Sequence, residues 1–160
     1  DSAPWRRMAS VVLLLGSASD KPVAAKAEQV LAQLGISYAT HVASAHRTPR
    51  RVVELVEGSD ASVFIAIAGL SAALPGVVAA HTRKPVIGVP CTSDSSPGNL
   101  DSLLSVVQMP PGVPVAAVGL GRGENAALLA ARILALGDDA IAAALEDYHA
   151  ELERKVIESS

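Results

Sequence analysis

From residue 11 onward the chain alternates between unbroken apolar runs and segments whose apolar residues recur every three or four positions. The unbroken runs cover 11–15, 36–42, 63–68, 85–90 and 113–120. Continuous rather than alternating hydrophobicity suits strands buried on both faces of a parallel sheet. Between the runs, helical spacing takes over. Asp20 can cap a helix that holds Pro22 in its first turn, where a missing N–H costs little. Ala27, Val30, Leu31 and Leu34 continue that helix, and Gly35 supplies its stop. Thr48-Pro49 opens a second helix through Val52, Val53 and Val56. Shorter helices are predicted over 74–81 and 101–108, and a long Ala/Leu-rich one, expected to be buried all round, over 125–136. Asp138 opens the last, with Ile141, Leu145, Tyr148 and Leu152 as an apolar seam.

This β-α alternation predicts an open, doubly wound α/β sheet, whose ligands bind beyond the carboxyl ends of the strands. The organisation expected is a tail over 1–10, one α/β domain over 11–137, and a C-terminal helix over 138–160. That helix would pack on the domain or on a neighbouring subunit. Residues 1–7 precede "MASVVLLLG", which reads as a natural start, so they are expected to be a fusion remnant or similar addition.

Composition narrows the class. The 160 residues are 50% hydrophobic but only 2% aromatic, so the core must be built from Ala, Val, Leu and Ile. A mean hydropathy of +0.37 without any run of about 18 apolar residues predicts buried subunit interfaces, and hence a homo-oligomer, rather than a membrane span. The net charge of -3 gives no support for a nucleic-acid-binding surface. The single cysteine, Cys91, excludes an intrachain disulfide and suits a reducing cytoplasm.

Candidate chemistry collects in the loops at predicted strand ends. "GSASD" (16–20) follows the first strand: Gly16 permits a tight turn, while Ser17, Ser19 and free N–H groups suit phosphate oxygens. Asp20 would repel a phosphate and better accepts from ribose hydroxyls. A helix cap without a ligand explains the same residues equally well. In "SAHRTP" (44–49), Arg47 can fork onto a phosphate beside the Ser44 hydroxyl, and His46 can exchange a proton near neutral pH. A solvated turn is the alternative. "AGLSAALPG" (68–76) and "TSDSSPGN" (92–99) complete the set.

Other readings fail on residue type or spacing. "GLGRGE" (119–124) has Glu124 where a dinucleotide fingerprint needs its third glycine, and is better read as a turn before the next helix. His41, His81 and His149 are dispersed without metal-ligand spacing. Ser17 and Ser44 lack a nucleophile elbow. A receiver-type signalling domain would want clustered acids after the first strand, where only Asp20 stands.

Together "GSASD", "SAHRTP", "LPG", "DSLLSVVQMPPGVPVA" and "NAALLAARIL" resemble, in order, the PurE family, the catalytic subunit of phosphoribosylaminoimidazole carboxylase in purine biosynthesis. The similarity runs from about Val11 to Leu136. It implies a three-layer αβα sandwich of flavodoxin-like topology, a homo-octamer with sites at subunit junctions, and no metal or organic cofactor. It also implies ribonucleotide binding by Ser17, Asp20 and Arg47, with Ser44 beside them, and acid/base work by His46. A CO2-holding loop is expected around Gly69, Ser71, Ala73 and Leu74. The implied reaction converts N5-carboxyaminoimidazole ribonucleotide to the 4-carboxy isomer by releasing CO2 and recapturing it at C4. The mutase class usually reads AGGAAHLPG where this chain has "AGLSAALPG", so Ala73 stands in place of a second histidine. "AGLS" and "SDS" (93–95) resemble the class that carboxylates aminoimidazole ribonucleotide directly, although that class usually carries SAHK. The mutase is the first expectation, direct carboxylation the second, and a non-catalytic ribonucleotide-binding relative the third.

Overall fold

A computed structural model describes residues 9–94, 98 and 100–160. The expectation for residues 1–7 lies outside the described residues, as do 95–97 and 99 of the fourth loop. Five strands form one parallel sheet in the order β2-β1-β3-β4-β5: β1 Val11–Leu15, β2 Tyr38–Val42, β3 Val63–Ala68, β4 Val86–Pro90 and β5 Ala116–Ala117. This is the flavodoxin-like order, with helices on both faces, as expected.

Every residue of β1, β3 and β4 is buried, which is why their sequences read as apolar without alternation. Alternate side chains serve opposite layers. Val11, Leu13, Leu15, Ile65 and Ile67 pack with α1 (Lys21–Gln33), α5 (Gly123–Ala135) and Leu145 of α6 (Asp139–Glu158). Val12, Leu14, Phe64 and Ala66 pack with Val52 and Val56 of α2 (Pro49–Glu57), Val78 of α3 (Leu74–Ala80) and Val106 of α4 (Leu100–Val107).

Two strands are shorter than the pattern suggests. Gly35, at φ +70, ends α1 in a left-handed turn in which its N–H reaches the Ala32 carbonyl and that of Ile36 the Leu31 carbonyl. The Ile36 N–H is thus committed to the helix exit, and pairing of β2 starts at Tyr38. In the run 113–120 only Ala116 and Ala117 pair as a strand. Pro114 has no N–H to donate, and the turn at Gly119–Arg122 ends the run.

"GLGRGE" is a turn leading into α5, as expected, with the Arg122 N–H donating to Gly119 O at 3.0 Å. Gly123 sits so close to α1 that a Cβ there would lie 2.3 Å from the Val23 carbonyl oxygen. α5 is not buried all round: Ala126, Ala127, Ala130 and Ala131 are, but Arg132 is exposed. Asp138 caps α6 by accepting from the Ala140 and Ile141 N–H groups at 3.0 and 3.2 Å. The first half of α6 packs through Ile141, Ala144, Leu145 and Tyr148, whereas Leu152, Val156 and Ile157 remain exposed. Among the described residues no helix is long and apolar enough to cross a membrane.

Candidate active site

β1 pairs with β2 on one side and β3 on the other, so the loops leaving these strands diverge and open a crevice at their carboxyl ends. The crevice is a cleft of about 450 Å³, lined from the loops after β1, β2, β3 and β4. That volume suits a small ligand. Ser17, Asp20, Ser44, His46, Arg47, Gly69, Ser71, Ala73 and Leu74, singled out from sequence, all line it.

After β1, the chain forms a single 3-10 turn, Ala18–Asp20. Ser17 caps it: its Oγ accepts the Ser19 N–H at 3.3 Å and the Ser19 hydroxyl at 3.0 Å. Asp20 does not cap α1 as its place in the sequence predicts. It stands at that helix's N-cap position, but its carboxylate turns back and Oδ2 accepts the Ser17 N–H at 3.1 Å, completing a capping box. The Ser-x-x-Asp spacing of "GSASD" carries that signal. Asp20 is only 7% exposed. Burial raises its pKa, and hydrogen bonds from the Ser17 N–H and the Cys91 thiol only partly offset this. The Cys91 thiol is itself pushed up to about 12, by burial and then by the Asp20 charge.

After β2, Ser44 and Thr48 clamp the loop. The Thr48 N–H donates to Ser44 O at 2.9 Å, and the Ser44 N–H donates to Thr48 Oγ1 at 2.8 Å. The Ser44 Oγ accepts the Arg47 N–H at 3.1 Å. Pro49 then starts α2 at a position where its missing N–H costs nothing. The clamp presents His46 and Arg47 outward, both exposed. Arg47 Nη2 reaches Gly16 O at 3.5 Å, which brings the guanidinium to the mouth of the Ser17 turn.

After β3, Leu70, Ser71 and Ala72 take φ values of +29, +38 and +23. Side chains rarely adopt this region, and each such residue costs roughly 1 kcal/mol or more. The Ala72 N–H is shared between the Gly69 and Leu70 carbonyls. Ala72 and Leu74 are buried, Ala73 is half-buried, and Leu70 is 50% exposed. Gly69 packs on the β4 exit: a Cβ there would lie 3.6 Å from that of Cys91. Thr92 and Ser93 complete the lining on that side.

The other histidines lie elsewhere. His41 on β2 is held below its ordinary pKa by burial and by Arg51. His81 meets Glu57 at 3.2 Å, and His149 meets Arg132 at 3.4 Å. Among the described residues no cluster of three or more His, Cys, Asp or Glu could hold a metal ion.

A sequence model of the AIR carboxylase family matches residues 10–155. The chain belongs to that family. It is 54% identical to the N5-carboxyaminoimidazole ribonucleotide mutase of Methanocaldococcus jannaschii, over 93% of this chain and 94% of that one. The mutase of Thermotoga maritima is 44% identical over 96% and 91%. Among solved structures, a variant of Treponema denticola PurE2 superposes with a TM-score of 0.84 at 38% identity, covering 93% of this chain and 94% of that one. Treponema denticola PurE gives 0.83 at 39% identity, over 92% and 94%.

Within this member of the AIR carboxylase family, Ala73 lines the same cleft as His46, which is the only histidine among the described residues lining it. Sequence reasoning meets Leu70 and Ser93 only as class markers within "AGLS" and "SDS" and does not single out Thr92; the packing of the β3 and β4 exits brings all three to the cleft.

Proposed function

We propose that this chain is an N5-carboxyaminoimidazole ribonucleotide mutase of purine biosynthesis, forming the 4-carboxy isomer. One observation carries the reading most: the Arg47 guanidinium, exposed His46 and the Ser17–Asp20 turn meet in one cleft at the β1/β3 switch point. The 54% identity to a mutase supports it independently.

Arg47 binds the 5'-phosphate by charge-assisted hydrogen bonds, with the Ser17 and Ser19 hydroxyls beside it. Asp20 accepts from the ribose hydroxyls, since Oδ2 holding the Ser17 N–H leaves it further acceptor capacity. These contacts fix where the ring lies relative to His46. Protonated His46 gives its proton to N5 as the N5–carboxyl bond breaks, leaving the amine and CO2. The enamine-like ring then attacks CO2 through C4. The C4 hydrogen leaves as a proton to His46, which regains its starting state. No oxidant or external proton is consumed. Gly69, Ser71, Ala73 and Leu74 hold the CO2 during the exchange, and a lining without charge slows its hydration and escape.

The protein works as a homo-oligomer in the cytoplasm, with the octamer of its family as the expected size. The exposed Leu100, Leu104 and Val107 on α4 support burial of that face against another copy.

The "AGLS" (68–71) and "SDS" (93–95) stretches favour a second reading, direct carboxylation of aminoimidazole ribonucleotide with CO2, and Ala73 a third, a ribonucleotide-binding relative without turnover. Purified protein supplied with the N5-carboxy substrate, or with aminoimidazole ribonucleotide plus bicarbonate, separates the three. The mutase converts the first rapidly and the second negligibly. The opposite pattern establishes the carboxylase, and turnover of neither leaves a ribonucleotide-binding relative.

A further inference from the structure

We propose that Leu70 is the apolar stopper that keeps released CO2 in the site, a role resting on the mutase reading above. Most of β3 and part of its exit are covered: Val63–Ala68 are buried, and so are Ala72 and Leu74, whereas Gly69 and Ala73 are half-buried and Leu70 and Ser71 are exposed. Leu70 alone among the large side chains of this segment stands 50% exposed, and it lines the cleft. It does so on a backbone at φ +29, the first of three successive left-handed non-glycine residues. Neither fact is explained by packing. A glycine at 70 would adopt that backbone freely and would leave no apolar surface in water.

What the leucine adds is a wall. Gly69, Leu70, Ser71, Ala72, Ala73 and Leu74 form a stretch of the cleft that carries no charge and one hydroxyl, that of Ser71, and it faces a loop that carries His46 and Arg47. CO2 has no net charge and no hydrogen to donate, so fixed polar partners hold it poorly. Enclosure is the more effective means, and water must be excluded because hydration removes the electrophile. The leucine side chain closes the outer end of that stretch while C4 comes into position. The bonds that form and break are those of the mutase reaction; Leu70 takes no proton and donates none. It governs whether CO2, once cleaved from N5, is recaptured or lost.

The test is a partition measurement. The intact protein converts unlabelled N5-carboxy substrate in buffer containing 13C-bicarbonate, and free aminoimidazole ribonucleotide and label in the C4 carboxyl are followed. Leu70→Gly should raise the fraction of turnovers ending in free aminoimidazole ribonucleotide by about fivefold or more, with added label in the product. Leu70→Met, which keeps apolar volume, should restore the partition. The melting temperature of Leu70→Gly should not fall, since the left-handed backbone is relieved, and its mass by light scattering should match the parent. An unchanged partition in Leu70→Gly overturns the assignment. So does a leak that appears only with a smaller assembly, which makes Leu70 a subunit contact. Failure of the parent protein to convert the substrate overturns the mutase reading and this role with it, whereas conversion with equal partition overturns the role alone.

Discussion

Thr48 bonds Ser44 in both directions: its hydroxyl accepts the Ser44 N–H at 2.8 Å and donates to the Ser44 carbonyl at 3.2 Å. Thr48 stands at the N-cap position of α2, but its side chain makes no bond to that helix and instead closes the loop holding His46 and Arg47. Thr48→Val keeps the shape and removes both bonds. It should cost about 1 kcal/mol of stability in urea denaturation and lower kcat/KM about tenfold, because two functional side chains lose their common base. Parent-like kcat/KM in that variant would separate the clamp from function.

Arg47 is the only arginine whose guanidinium reaches toward the Ser17 turn among the described hydrogen bonds. Arg47→Ala should weaken ribonucleotide binding about 10- to 100-fold, the worth of charge-assisted phosphate contacts. Titration calorimetry with aminoimidazole ribonucleotide reads this directly, and added salt should weaken the parent's binding more than the variant's.

His46→Asn retains a polar side chain but cannot carry a proton. Turnover should drop about 10²- to 10⁴-fold while ribonucleotide affinity changes little. His46 is the only histidine among the described residues lining the cleft, so none of those can take over its role. A variant within a few-fold of parental kcat would remove His46 from the proton path.

Asp20 gives a pH signature. Burial raises its pKa above the ordinary 3.8, so the folded state is favoured while the carboxyl is protonated. That stabilisation is fully present below 3.8 and is lost as pH rises through the folded value. Asp20→Asn does not titrate. Its melting temperature should therefore gain on the parent's as pH rises through that window, and KM should rise with the loss of the ribose acceptor. Melting curves that keep a constant offset from acid to neutral pH would contradict the assignment.

Gly123→Ala tests the layer behind the site. The added Cβ would lie 2.3 Å from Val23 O, and backbone cannot give way as a flexible side chain can. A loss of about 1–3 kcal/mol is expected from the shift of α5 off α1, read as a lower denaturation midpoint.

The central strands are legible in the sequence because burial on both faces leaves only one kind of residue acceptable. At 11–15 and 63–68 the apolar run and the strand coincide. Edges are not legible. Ile36 and Val113 are as apolar as strand residues, but the first gives its N–H to Leu31 at the helix exit and the second to Pro110 in a turn. Helix ends announce themselves where a side chain or a glycine does one local job, as Asp138 and Gly35 do. Asp20 misleads as a cap because its carboxylate turns back to the Ser17 N–H, while Pro22 in the first turn of α1 has no N–H to offer it. Of the cleft, Ser17, Asp20, Ser44, His46 and Arg47 can be read in advance, because a charge or a hydroxyl at a strand end is itself a signal. Leu70 cannot, since its exposure and left-handed backbone depend on how the whole β3 exit folds.

The sheet order also sets a schedule for biosynthesis. Val11–Leu15 leaves the ribosome well before its partner β3 ends at Ala68, and α5, which helps cover Val11, Leu13 and Leu15, begins only at Gly123. At about 5–20 residues per second the nascent chain carries that incompletely covered surface for roughly ten seconds. Neighbouring chains on a polysome are exposed to it for the same interval. Cellular yield is thus governed by translation speed and chaperone holding during this interval, and a silent codon change could alter it without touching the finished fold.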